Sequence, residues 1–182
     1  MAAFDSNSIS AFVKCVNFAA VKHSFQKRKN VEQTPYINHP IGVAYILTNE
    51  GNITDLDILQ AALLHDTVED TDTTLEEIAS IFGIKVANIV KECTDDKNLP
   101  KEERKKLQII NSKSSSREAK LVKLADKLYN LRDLDRETPV GWTSERVSEY
   151  FKWAYEVVNG LKGTNQQIES ELSKLFEKHN IR

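Results

Sequence analysis

The densest chemistry in this 182-residue chain lies in the run Ala61-Ala62-Leu63-Leu64-His65-Asp66-Thr67-Val68-Glu69-Asp70. His65, Asp66, Glu69 and Asp70 are of types that can bind metals or handle protons, and they fall in a segment that otherwise reads as a buried helix. An α-helix turns about 100° per residue, so with His65 at zero Glu69 falls at roughly 40°, Asp66 at roughly 100° and Asp70 at roughly 140°. Ala61, Leu64 and Val68 gather on the other side. One face therefore packs, while the other carries an imidazole and three carboxylates. Clustered carboxylates repel one another, and burying them is costly unless a cation compensates. The pattern asks for a metal.

A second segment, Lys120 to Arg132, adds to the set. Leu121, Leu124, Leu128 and Leu131 form one apolar stripe, and Asp126 and Asn130 lie opposite it, four residues apart, with Asp133 close in angle. His39 stands between Asn38 and Pro40, at the mouth of a further helix, where a short loop would fix its direction. His39, His65, Asp66 and Asp126 together make a His2Asp2 ligand set. Mixed imidazole and carboxylate ligation suits Mn²⁺, Fe²⁺ or Zn²⁺ better than thiolate-seeking metals, with positions left open for water and a phosphate oxygen. His23 and His179 have no such company.

The elements that must position these residues are helical almost throughout. Ile9, Phe12, Val13, Val16, Ala19 and Ala20 recur at helical spacing. Helices also follow Pro40, Thr54 or Asp55 as N-cap, and Thr74, which forms a capping box with Glu77. Further helices are expected over about Lys85 to Glu92, Lys101 to Ile110, Arg117 to Arg136, Ser144 to Leu161 and Thr164 to His179. Ser112 to Ser116 reads as a mobile turn or a lid. The expected architecture is all-α, a single domain of about eight to ten helices over residues 1–182.

Composition bounds the function. At 40% hydrophobic and 29% charged residues, the chain can bury a core of its own. A net charge of -2 gives no general affinity for nucleic acid, so phosphate recognition must be local. Lys22, Lys27, Arg28 and Lys29 form the densest basic stretch, and Lys97 and Lys101 a second one. Tyr150 and Trp142 can stack on a base or fill the core, with Trp142, after Gly141, read as structural. Cys15 and Cys93 are too few for a disulfide framework and read as reduced, buried residues of a cytoplasmic protein. Acidic Asp5, with no basic run before an apolar core, argues against a signal peptide, and no apolar stretch is long enough to span a bilayer. No protein partner is implied.

His39, His65-Asp66 and Asp126 follow the H…HD…D pattern of HD-domain metal-dependent phosphohydrolases. The extended motifs are more specific. Tyr36-Ile37-Asn38-His39-Pro40, Ala62 to Thr71 and Lys123 to Arg132 resemble the hydrolase domain of the RelA/SpoT family, which makes and destroys guanosine tetraphosphate and pentaphosphate. The resemblance spans about Phe12 to about Leu175 and is strongest to the small stand-alone animal hydrolases. It implies an all-α HD fold with one Mn²⁺ and removal of the 3′-pyrophosphate from ppGpp to give GDP and pyrophosphate, part of the starvation response. The chain ends where the synthetase domain of the long bacterial enzymes would begin, so only hydrolysis is expected.

The resemblance also assigns roles. His39, His65, Asp66 and Asp126 hold the metal, and Glu69 and Asp70 match the pair that activates the attacking water. Arg28, Lys29 and Asn130 match substrate contacts, and Lys101 and Tyr150 are further candidates for holding phosphate and base. Two alternatives stay open: a phosphatase acting on another ribose-phosphorylated nucleotide such as NADPH, and a catalytically silent nucleotide sensor.

Overall fold

Helical spacing and helix-stopping residues produce ten helices in the computed structural model, which describes residues 6–182. They are α1 (Ser6–Lys22), α2 (Asn38–Asn49), α3 (Leu56–Leu64), α4 (Thr67–Asp70), α5 (Leu75–Phe82), α6 (Ile84–Cys93), α7 (Lys101–Ser112), α8 (Arg117–Arg136), α9 (Ser144–Asn159) and α10 (Gln166–Lys178). Asp5 lies outside the described residues. Among them, the extended pairing is one isolated antiparallel bridge between Lys27 and Pro35, so the fold is all-α. No helix among the described residues is long and apolar enough to cross a membrane.

Local chemistry sets the helix ends. Asp55 caps α3 by accepting hydrogen bonds from the Asp57 and Ile58 amides at 2.9 and 3.4 Å. Thr74 Oγ1 caps α5 through the Glu77 amide at 3.1 Å, a contact of the kind that stabilises by about 1 kcal/mol. The Glu77 carboxylate goes to Lys22 Nζ at 3.2 Å, which ties α5 to α1. Gly83, at φ +97°, ends α5 and lets α6 start at the next residue.

Helices α3 and α8 form the centre. Helix α3 packs against α1, α2, α6 and α8, and every residue from Ile58 to Leu64 is buried. Helix α8 packs against α2, α3, α6, α9 and α10. Its Leu121, Leu124, Leu128 and Leu131 are fully enclosed, as the stripe predicts, and so are Val122 and Ala125. Neighbours on several sides bury more of α8 than one stripe. The α2–α8 contact leaves no room at Gly42, where a Cβ would sit 1.9 Å from Tyr129 Cε2.

The structure differs from the sequence pattern in places. Ile9 and Val13 are 53% and 58% exposed, because α1 packs on α3 mainly through the side holding Cys15 and Ala19. Helix α2 begins at Asn38, which puts His39 in its first turn. The serine-rich turn is pinned rather than a lid. Ser112 is buried with its hydroxyl donating to Ile109 O, the Ser116 amide donates to Glu92, and Ser116 Oγ caps α8 through the Ala119 amide.

Candidate metal centre and active site

The continuous helix expected through the His-Asp pair is broken there. Helix α3 stops at Leu64, and a new turn, α4, starts at Thr67. Two side chains take up the carbonyls this exposes: His65 Nδ1 lies 2.7 Å from Ala62 O, and Thr67 Oγ1 donates to Leu64 O at 2.7 Å. A carbonyl oxygen only accepts, so His65 Nδ1 carries a hydrogen and Nε2 offers its lone pair to a proton or a cation.

That lone pair points into a cluster of acceptors. His65 Nε2 lies 3.1 Å from Asp66 Oδ2 and 3.8 Å from Asp126 Oδ1. His39 Nε2 lies 3.5 and 3.2 Å from the same two oxygens. The ligand atoms of His39, His65 and Asp126 all fall within 4.8 Å of one another. Asp66 Oδ2 reaches both imidazoles, so all four expected ligands converge. His65 Nε2 is buried without a hydrogen-bond partner. A bare nitrogen facing carboxylates repels them unless a proton or a cation lies between. Burial opposes charge on His65, but Asp66 and Asp126 outweigh it and hold the imidazole well above its ordinary range. Burial likewise opposes ionisation of the two aspartates. It is outweighed at Asp66 by the two histidines and at Asp126 by Lys127 and then the histidines, so both carboxyls lie well below the usual range. The donor set and the orphaned nitrogen fit a divalent cation.

A second layer orients these groups. Tyr36 Oη donates to Asp66 Oδ2 at 2.6 Å. Burial and the Asp66 charge push the Tyr36 hydroxyl far up, so it stays a donor. Asp126 Oδ2 accepts from Lys127 Nζ at 2.8 Å, and Asp126 Oδ1 accepts from Asn130 Nδ2 at 2.6 Å. Burial opposes charge on Lys127, yet Asp126 outweighs it and raises the ammonium above its ordinary range. Arg28 Nη2 donates to Asn130 Oδ1 at 2.8 Å and to Asp133 Oδ2 at 2.9 Å. The Lys27–Pro35 bridge closes the loop that carries Arg28 and Tyr36 into the site, with Arg28 N to Thr34 O at 2.8 Å and Tyr36 N to Gln26 O at 3.0 Å.

Glu69 and Asp70 follow one turn after His65 and Asp66, on α4. Glu69 Oε1 faces Arg104 Nη1 at 3.4 Å, and Glu69 Oε2 accepts from the Asp95 amide at 3.3 Å. Burial pushes the Glu69 carboxyl up; the Asp95 amide works against this, and the Asp95, Asp66 and Asp70 charges add to it. Asp70 is held by Lys97 Nζ at 2.6 Å and Gln26 Nε2 at 3.0 Å.

Glu69 also lines a cavity of about 350 Å³ walled mainly by α7 and α9, together with Asp95 and Trp142. Of the expected substrate contacts, Lys101 and Tyr150 are on its wall, Arg28 and Asn130 belong to the network around Asp126, and Lys29 is exposed. Burial raises the Tyr150 hydroxyl to about 12, with Lys127 acting against the rise. The cavity adds residues that the sequence pattern leaves unmarked: Arg104, Lys105, Arg146 and Trp153. Trp142, read as structural, lines it too, with the Arg146 guanidinium 4.1 Å from its ring centroid. His23 lies outside this cluster; it is buried and hydrogen-bonded to Gln26. His179 pairs with Asp135 and stacks on Phe151 at 3.9 Å.

The comparisons agree with this architecture. A family model described as an HD domain matches residues 15–152. The chain is 59% identical over 176 residues to a Danio rerio protein named guanosine-3′,5′-bis(diphosphate) 3′-pyrophosphohydrolase MESH1, covering 97% of this chain and 98% of that protein. The Homo sapiens protein of the same name is 62% identical over 169 residues, covering 93% and 94%. A solved structure, described as a metazoan ortholog of SpoT that hydrolyzes ppGpp and plays a role in starvation responses, superposes with a TM-score of 0.95. It is 50% identical, with 100% of both chains covered.

Proposed function

Because this chain belongs to the HD-domain family, and within it to the guanosine-3′,5′-bis(diphosphate) 3′-pyrophosphohydrolases, we propose that it removes the 3′-pyrophosphate of ppGpp. The products are GDP and pyrophosphate. One observation carries this for the chain itself: two imidazole nitrogens and two carboxylate oxygens converge, with the buried, unpartnered His65 Nε2 among them, beside Glu69, which lines a cavity with aromatic walls and both basic and acidic side chains.

In this reading His39, His65, Asp66 and Asp126 hold one divalent cation, for which Mn²⁺ is our choice because the ligands are mixed imidazole and carboxylate. When bound, such a cation polarises phosphoryl oxygen and makes water more acidic at neutral pH. One carboxylate of the Glu69–Asp70 pair takes a proton from the water that attacks the 3′-phosphorus; the P–O3′ bond breaks, pyrophosphate leaves, and the 3′-oxygen takes up a proton to become the hydroxyl of GDP. A base of this kind contributes roughly 10²- to 10⁴-fold. The raised Glu69 carboxyl suits the role, since proton transfer is most efficient near the operating pH. Arg28, Lys29 and Lys101 supply charge to the substrate phosphates, Asn130 stands between Asp126 and Arg28, and Tyr150 offers an aromatic face to the base. We also propose that residues 1–182 act as one hydrolase domain, in the cytoplasm, on a small nucleotide without a protein partner. A single buried core running from α1 to the residues beyond α10 supports the one-domain reading.

The test supplies Mn²⁺ and compares ppGpp with NADPH by identifying the released products. Pyrophosphate and GDP from ppGpp are expected; release of orthophosphate alone, or turnover of NADPH only, overturns the substrate assignment. Asp66→Ala should lose metal and activity together, whereas Glu69→Ala should keep metal and lose turnover. Unchanged turnover in Asp66→Ala defeats the ligand set.

A further inference from the structure

His23, just beyond the end of α1, is 2% exposed and has no part in the mechanism above. Its Nδ1 lies 2.7 Å from Gln26 Oε1, and Gln26 Nε2 donates to Asp70 Oδ2 at 3.0 Å. Its Nε2 is buried with no hydrogen-bond partner, and its ring packs 4.9 Å from that of Tyr36. The bonding along this line is determined from one end. A carboxylate only accepts, so Gln26 must present its NH₂ to Asp70. The carbonyl end of the amide then faces His23, and only an N–H there can satisfy it. His23 is therefore the Nδ1–H tautomer with a bare Nε2. The unpartnered Nε2 agrees, because a hydrogen on it would be a buried donor with nothing to bond.

We propose that His23 and Gln26 are positioning residues for Asp70: His23 locks the Gln26 amide in the one orientation that donates to the catalytic carboxylate. This rests on the assignment of Asp70 to the water-activating pair. Asp70 has a second holder in Lys97, but that side chain is 50% exposed, and surface pairs of this sort hold a carboxylate weakly. The Gln26 side is the rigid one. Its backbone is fixed twice, by Gln26 N to His23 O and Tyr36 N to Gln26 O, both at 3.0 Å. Flipping the amide would turn its carbonyl oxygen toward Asp70 and force a change of tautomer at His23.

The test uses the full chain loaded with Mn²⁺ and ppGpp as substrate, with bound metal and thermal midpoint measured for every variant. Gln26→Leu and His23→Leu should each lower kcat about 10- to 100-fold, the range seen when a supporting hydrogen bond is removed from a metal-site group, with KM and metal content unchanged. His23→Asn, whose side-chain N–H stands near the place of Nδ1–H, should recover most of kcat. In an Asp70→Asn background His23→Leu should cost nothing more. An undiminished kcat in Gln26→Leu, a His23→Asn no better than His23→Leu, or an equal loss in the Asp70→Asn background overturns the proposal. Full activity in Asp70→Asn itself removes the underlying assignment and this inference with it, whereas an inactive Asp70→Asn beside a fully active Gln26→Leu removes the inference alone. If His23→Leu does not fold, the unaltered protein still decides. Long-range ¹H–¹⁵N spectra of the Zn²⁺-loaded chain should show His23 protonated on Nδ1 and bare on Nε2, and the opposite tautomer overturns the proposal.

Discussion

Substituting Gly42 by alanine tests how closely the metal centre depends on the α2–α8 contact. In an ordinary helix interior the change would stabilise by about 1 kcal/mol, since glycine is the poorer helix former. Here the new Cβ would lie 1.9 Å from Tyr129 Cε2 and 2.5 Å from Cδ2. Carbon atoms rest at roughly 3.5 Å, so the ring must retreat by roughly 1.6 Å. That ring packs edge-on at 4.9 Å against His39, and the Arg28 guanidinium lies 5.8 Å over it. Overpacking of this kind costs about 1–3 kcal/mol. Offset by the helix gain, the net loss is about 0–2 kcal/mol, or up to about 8 °C in Tm for a chain of this size. Because such sites tolerate displacements of only about 0.5 Å, Mn²⁺ affinity should fall by about tenfold or more. Thermal melts and Mn²⁺ titration calorimetry read the two effects. The sign should reverse in a Tyr129→Ala background, where Gly42→Ala has no ring to meet and should raise Tm. A Gly42→Ala protein with wild-type metal affinity, or one that still destabilises the Tyr129→Ala chain, refutes the reasoning.

Three further outcomes are expected. Glu69 must be ionised to act as a base, and its raised carboxyl means that kcat climbs with pH through an elevated acid limb. Asp95→Asn removes a negative neighbour while keeping the backbone amide, so a kcat–pH profile should show that limb moved to lower pH; no shift, or an upward one, counts against Glu69. Lys127→Met leaves Asp126 buried without its cation and should cost about 3–5 kcal/mol in denaturant melts of the metal-free protein, and less with Mn²⁺ bound. Equal losses in both states would show that Asp126 does not face the metal. Gly83→Ala places a side chain at φ +97° in open space, so a purely backbone cost of about 1–3 kcal/mol should appear with kcat unchanged.

How much of this was legible beforehand depends on the range of the interactions. The Leu121–Leu131 stripe and the Asp55 and Thr74 caps were readable because they are local patterns of spacing and residue type. That His39, His65, Asp66 and Asp126 come together is legible because each stands in a short motif whose pattern resembles a known family. The break between α3 and α4 was not. No glycine or proline marks it; side-chain capping by His65 and Thr67 makes it, once the surrounding helices have closed. Arg104 pairs with Glu69 across 35 residues and Tyr36 with Asp66 across 30, and nothing in either segment alone announces the other. The cavity-facing cations of α7 and α9 look, in sequence, like any solvated helix face. His23 is silent in sequence for the same reason, since its partner Gln26 becomes meaningful only when Asp70 is placed beside it.

The four converging donors come from three places in the chain: the first turn of α2, the α3–α4 junction and the middle of α8. These segments meet only when the chain is folded, so the unfolded chain has no comparable site. A cation held there would therefore act as a clasp on the fold, adding RT ln(1 + [M]/Kd) to its stability, about 2.7 kcal/mol when free metal is a hundredfold above Kd. Abundance of the protein in the cell would then follow metal supply as well as synthesis. Scarcity would loosen the helices around the site before any substrate was involved.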